Sequence, residues 1–298
     1  VGADQLNRQI AAVERAEALP EVFVSAGFDS FFDQRTLRRF KDRGVFVDRS
    51  PWRAGAGPAN PSFDGLQVVD PGGHFTLLAV VPAVFLVNHG VLGDAAPPRS
   101  WEELLEPRFA RRVALPVGDF DLFNGMLLTL QRRFGDDGVR ALGRNMLASL
   151  HPSQTVGRFA GRATEQPAIS IVPHFFSKMT LGSKGIHTVW PADGAIICPI
   201  FLLARAAAVD RSQPLLDLLM SREIAEILSH RGLFPTLHPE VDNRLPGGAR
   251  FSWLGWDHIE AHDLGQLIPR LEALFRAAAG GGDEARRDDQ HDQQEGQA

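Results

Sequence analysis

The sequence predicts an α/β protein, and three observations carry that reading. β-like apolar runs alternate with amphipathic helical stretches along most of the chain. Two of the runs, residues 75–87 and 194–204, are each interrupted by a proline, Pro82 and Pro199, as expected of a strand that kinks and continues elsewhere. Hydrophobic residues make up 44% of the 298, enough for one large or two medium domains with a real core.

The elements follow in order. Leu6, Ile10 and Val13 have helical spacing over residues 5–18, and Pro20 ends that helix before the buried-strand pattern of residues 22–24. Ser25-Ala26-Gly27 closes the strand. Residues 33–41 are expected to be helical, with Gly44 just past their end. This β-turn-α order predicts mainly parallel strands. Residues 49–73 are rich in Pro, Gly and Ser and form a loop whose length suits a functional or interlobe role. The run at 75–87 is the first crossover. Ser100 and Glu103 have capping-box spacing for a short helix that Pro107 ends. A strand at 112–116 precedes a helix at 120–134 with Leu122, Met126 and Leu130 in line, and a further helix is expected over 137–150. Strands at 168–172 and 186–190 flank a helix over 175–179, and 194–204 is the return crossover. Helices at 212–231 and 260–278 enclose an irregular segment punctuated by Pro235, Pro239 and Pro246. From Gly280 onward no large apolar residue occurs and disorder is expected.

Composition excludes several function classes. A net charge of −5 gives no basic field for nucleic acid or anionic lipid. The single cysteine, Cys198, excludes an internal disulfide and any multi-cysteine metal centre, and inside its apolar run it reads as a buried, inert thiol. No apolar run of about 18 residues is present, so no membrane span is expected. The sequence opens Val-Gly-Ala-Asp, without methionine, basic n-region or apolar h-region, so no signal peptide is expected within these residues, which fits a mature, a truncated or a cytoplasmic protein alike.

With both kinked crossovers in place, the chain resembles the type II periplasmic substrate-binding proteins of ABC importers, in the branch of iron, polyamine and thiamine binders. The resemblance rests on residues 19–27, 80–88, 98–109 with 113–116, and 193–201. The Pro98-Arg99-Ser100-Trp101-Glu102-Glu103-Leu104-Leu105 stretch is its most specific part. It covers about residues 19–275 and implies two α/β lobes joined by two crossover strands. The expected division is a first lobe over 1–82, a second over 83–196, a return of the first over 197–279, and a tail over 280–298. It further implies a periplasmic, non-catalytic monomer that needs no cofactor, captures a small polar or anionic solute between its lobes and docks on permease transmembrane subunits. A cytoplasmic ligand-sensing domain of the same fold is the alternative. Members of the family begin with a strand and a ligand-facing loop ahead of the helix that opens this chain, so the first lobe is expected to lack that leading portion. Ferric-ion binders of the branch typically coordinate iron through tyrosines, and this chain has none, which excludes tyrosinate coordination.

In an open α/β sheet, ligands bind outside the carboxyl ends of strands, where backbone N–H groups are exposed. Four loops meet that description. Ser25, Ala26, Gly27 and Asp29 follow the first strand, where small residues allow close approach; an ordinary turn capped by Asp29 or Ser30 is the plainer reading. Asp119, Asp121 and Asn124 stand at the start of the 120–134 helix, as ligand contacts or as capping residues. His174 and Phe175 follow the strand at 168–172, positioned to orient and cover a ligand or to pack as an aromatic pair beside a surface histidine. Asp193 and Gly194 precede the return crossover, as hinge and close-approach site or as a simple turn. Acidic residues near the second-lobe helix favour a cation and helix N-termini favour an anion; a small polar organic solute or anion is preferred, with a polyamine or metal complex second. His74 reads as a solvated turn residue. His258 and His262 are spaced i, i+4 without a third ligand, and neither a Gly-x-Ser-x-Gly elbow nor a phosphate loop is present, so no metal site and no catalytic residues are assigned.

Overall fold

The computed structural model describes residues 8–117, 120–149, 166–180 and 182–295. Eight strands occur among them: β1 (Val22–Ala26), β2 (Thr76–Asn88), β3 (Val113–Leu115), β4 (Met146–Ser149), β5 (Ile169–Pro173), β6 (Ile186–Val189), β7 (Ala195–Ala204) and β8 (Phe251–Ser252). The helices are α1 (Asp29–Phe32), α2 (Arg38–Lys41), α3 (His89–Leu92), α4 (Trp101–Leu104), α5 (Phe120–Asn145), α6 (His174–Ser177), α7 (Val209–Leu219), α8 (Arg222–Glu226), α9 (Trp256–Ala261) and α10 (Leu264–Glu295).

One sheet path, β1-β7-β2-β5-β3-β4, runs through both halves of the molecule, with β6 beside β2 and β8 beside β7. The two kinked apolar runs are single long strands, and their prolines act at the change of partner. β2 pairs antiparallel with β7 from Thr76 to Pro82, whose partner is Ile197. From Ala83 onward β2 pairs with β5 instead, starting opposite Pro173. Proline has no N–H to offer, so it is tolerated where one ladder stops and the next begins. The chain thus folds as two α/β lobes joined by two crossover strands.

The mainly parallel sheet expected from β-turn-α order is not what forms. β1 with β7, and β2 with each of β5, β6 and β7, are antiparallel; only β3 with β4, β3 with β5, and β7 with β8 are parallel. The crossovers cause this, because a strand that leaves one lobe and a strand that returns to it run in opposite directions.

Local departures have local causes. The expected opening helix is seen over residues 8–11, with a separate 3-10 turn at Ala16–Ala18. Of the helix expected at 33–41 only α2 forms; α1 ends just before it at Phe32, and Asp33 turns the chain between the two by accepting from the Arg35 backbone N–H at 2.7 Å. α5 breaks at Gly135 (φ +66°) and ends at Asn145, where β4 replaces the last turn expected to reach residue 150. The tail read as disordered is helical to Glu295, a continuation of α10 through an alanine-rich stretch whose helix propensity outweighs its glycines.

The core of the first lobe is aromatic. Phe32, Phe75 and Phe201 meet with centroids 5.0–5.6 Å apart, and Phe31 and Trp256 extend the cluster. Trp101 is fully buried with its indole N–H donating to Gly194 O at 3.0 Å. Cys198 is buried as expected.

Candidate functional site

The floor of the site is a row of strand ends in the first lobe. Gly27 N donates to Pro199 O at 3.0 Å, Pro199 pairs with Val80, and Val80 N donates to Pro235 O at 2.9 Å. With neighbouring strands about 4.8 Å apart, Gly27 and Pro235 lie roughly 14 Å apart along this row. The second lobe closes over the row at both ends.

At the first end, Gly27 (φ +92°) lies directly under Asp121, so close that an added Cβ would fall 2.4 Å from a carboxylate oxygen. Two residues on, Asp29 accepts from Asn124 Nδ2 at 2.9 and 3.1 Å. Burial pushes the Asp29 carboxyl up to about 6, partly countered by that hydrogen bond, with Glu272 and Asp33 adding repulsion. Asn124 is buried and its Oδ1 has no hydrogen-bond partner among the described residues.

The sign of the resulting pH dependence is fixed. The folded-state pKa is raised, so Asp29 contributes most below its unfolded value near 4, and that contribution is lost as pH rises through about 6. Asp29→Asn removes the buried charge while its Oδ1 keeps an acceptor for Asn124 Nδ2. Urea unfolding at pH 7.5 is expected to show the variant more stable by about 2 kcal/mol, with the advantage gone near pH 4; a variant less stable at pH 7.5 contradicts this account of the seam.

At the second end, His174 follows β5, whose Pro173 lies opposite Ala83, three residues past Val80 on β2. Phe175 meets Phe234 of the first lobe edge to face, 5.3 Å between centroids. Between these elements lies a cavity of about 170 Å³, bounded by His174 and Lys178 on one side and by Ser229, His230, Leu233 and Arg244 on the other. Among the described residues no carboxylate lines it. Burial, with Lys178 adding to it, lowers the His174 imidazole to about 4, so it is neutral at pH 7. Its ring also packs edge-on against Trp190 at 5.3 Å.

Backbone strain converges on this cavity. Among the described residues three non-glycines hold positive φ, and two of them, Leu233 (+55°) and Arg244 (+49°), line it. Each costs about 1–2 kcal/mol and persists only where the surroundings enforce it. Asn243 does the enforcing: its Oδ1 accepts from Thr236 N and Ser229 Oγ, both at 2.9 Å, while Arg244 N donates to Asp242 Oδ1 at 2.9 Å.

The structure therefore brings Gly27, Asp29, Asp121 and Asn124 together at one end of the seam and His174 with Phe175 at the other. Ser25 and Ala26 are half-buried on β1 opposite Phe201 and Ile200. Asp119 lies outside the described residues. Asp193 accepts from Trp101 N at 3.1 Å and from Arg133 at 2.6 Å, and Gly194 (φ +98°) abuts the Phe251 backbone. Sequence reasoning missed Leu233 and Arg244, whose signal was the unusually long irregular segment around Pro235 and Pro239. His74 is bound locally, its Nδ1 3.1 Å from Phe46 O. Among the described residues no three His, Cys, Asp or Glu side chains are grouped to hold a metal, and no helix is long and apolar enough to cross a membrane.

Two lobes on a shared sheet, closing over a polar cavity at the crossover, define a solute-binding protein. Residues 17–262 match the family described as bacterial extracellular solute-binding protein, and the chain belongs to that family. The family is one of binding proteins. Among solved structures, the substrate-binding protein of an ABC transporter from Agrobacterium tumefaciens is similar at TM-score 0.58, 16% identity, covering 92% of this chain and 84% of its own. A Trichodesmium protein in complex with iron and citrate ligands is similar at 0.64 and 14%, covering 92% and 88%. A two-component system protein that mediates signal transduction is similar at 0.63 and 12%, covering 91% and 88%. None of the curated proteins matches the sequence.

Proposed function

We propose that this chain captures a small anion or anionic organic solute between its lobes, and serves as the periplasmic component of an ABC-type importer that delivers its cargo to permease transmembrane subunits without transforming it. The observation that carries this reading is the interlobe cavity, where Lys178, Arg244 and two histidines converge with no carboxylate among the lining groups. A polyamine or other cation finds no acidic partner there, and the absence of tyrosine removes the tyrosinate route to iron. The lobes run over residues 1–82 with 197–279, and over 83–196. Support for that division comes from the Pro82 to Ile197 pair, the last between β2 and β7. Closure then follows from the ligand's greater affinity for the state in which both lobes contact it.

His174 supplies the test. An anion beside its imidazole raises a pKa that is about 4 without one, so binding takes up a proton and strengthens as pH falls. Sulfate keeps its charge over this range, and calorimetry is expected to give an affinity roughly tenfold higher at pH 5 than at pH 7.5. In His174→Gln that pH dependence disappears. An affinity that weakens toward pH 5 would exclude this cavity as the anion site.

A sensing role on the same fold is the second reading, favoured by the likeness to a two-component system protein. Co-purification of the full-length protein with a permease supports import; association with a regulatory domain supports sensing.

A further inference from the structure

A second groove, of about 520 Å³, lies where α10 crosses α5. Its floor is apolar, formed by Leu274 and the run Ala277 to Ala279, and its wall carries Arg111, Arg140 and Arg144. Gly143 makes this geometry: a Cβ there would fall 2.6 Å from Phe275 O and 2.9 Å from Ala278 Cβ, so the helices touch almost backbone to backbone. The short alanines that permit this contact leave a trough beside it. Arg140 and Arg144 are one turn apart and share a helix face.

The arginines are not equally engaged. Arg140 pairs with Asp137 at 2.7 Å. Among the described residues, the guanidinium groups of Arg111 and Arg144 have neither an ion pair nor a hydrogen bond, although both belong to a chain of net charge −5. Arg111 is the third non-glycine residue with positive φ, +57°, and its N–H donates to Arg144 O at 3.2 Å. Glycine fits that backbone at no cost. An arginine kept in a left-handed conformation, bonded to the neighbour whose guanidinium is also unpaired, is strain concentrated on a pair of free cations.

We propose that this groove binds a single-chain anionic amphiphile, with a carboxylate or phosphate head on Arg111 and Arg144 and its alkyl chain along Leu274 and the alanine floor. Guanidinium groups match carboxylate and phosphate in planar, two-point hydrogen bonding, and the volume lies within the range of small-molecule sites. The site is independent of the interlobe cavity and of any solute held there.

The test is calorimetry of the full chain with decanoate, decyl phosphate and decanol. One site is expected for both anions, and decanol, which keeps the chain and loses the charge, binds at least about tenfold more weakly. Arg111→Gly relieves the backbone while removing the guanidinium, so it is expected to melt no lower than the parent yet bind decanoate about tenfold more weakly. Arg144→Gln behaves alike in binding, and sulfate binding is unchanged in both. Flotation with neutral phosphatidylcholine vesicles carrying single-chain lysophosphatidylglycerol separates the sources: flotation lost in Arg111→Gly identifies a membrane-borne amphiphile, and decanoate binding without flotation identifies a dissolved one. Equal affinity for decanol and decanoate, unchanged decanoate binding in Arg111→Gly, or no binding of either anion overturns the proposal.

Discussion

Replacing Lys178 and Arg244 together by glutamate is expected to lower the affinity for small anions by about a hundredfold or more, with little change in melting temperature. Both side chains are exposed and make no ion pair among the described residues, so the fold gives up little when they change. The ligand loses far more. A hydrogen bond to a charged group contributes about 1.5–3 kcal/mol, and each tenfold in affinity is about 1.4 kcal/mol, so two such contacts account for at least two decades. Reversal also places two negative charges where a neutral His174 offers no compensation at pH 7. Titration of parent and double variant with sulfate measures the effect; retention of parental affinity moves the solute elsewhere.

Gly27→Val is expected to cost about 3 kcal/mol or more in stability and to prevent the lobes from meeting at the first end of the seam. Two penalties add. A β-branched residue at φ +92° is strained by its own backbone, and its Cβ would fall 2.4 Å from Asp121 Oδ1. They are separable by a double-mutant cycle: adding Asp121→Gly removes the collision and leaves the backbone strain, so the double variant is expected to recover about 1–2 kcal/mol relative to additivity. Denaturant unfolding of the four proteins measures this. Strict additivity would mean that Gly27 and Asp121 do not meet in solution.

The two crossovers were legible because proline leaves a mark in sequence at the place where a strand changes partner: Pro82 lies at the β7-to-β5 exchange, and Pro199 accepts from Gly27. Gly27 was legible for a similar reason, since small residues after a strand signal close approach. Strand direction was not legible. β-turn-α spacing is local, and the antiparallel pairing of β1 with β7 joins residues about 180 positions apart. The contact of Asp193 was not legible either, because an Asp-Gly pair reads locally as a turn while its carboxylate caps α4 from 92 residues away. Arg244 was invisible as a site residue because its left-handed backbone is imposed by the bonds of Asn243 and Asp242, and nothing in an Asn-Arg dipeptide announces that. Asp121 and Asn124 are near neighbours in sequence on one helix, whereas their contacts across the seam, Gly27 and Asp29, lie in a loop about 95 residues away that no local pattern links to them.

An anion held between the lobes is tested by a thermal-shift series on the purified chain, because a ligand that binds only the folded state raises its melting temperature. Sulfate, phosphate, small carboxylates, polyamines and metal chelates would be titrated against the parent and the Lys178→Glu/Arg244→Glu protein. A dose-dependent rise is expected with one or more anions in the parent, absent in the double variant, and none with polyamines. A rise with polyamines, or an anion response that survives the double substitution, contradicts it.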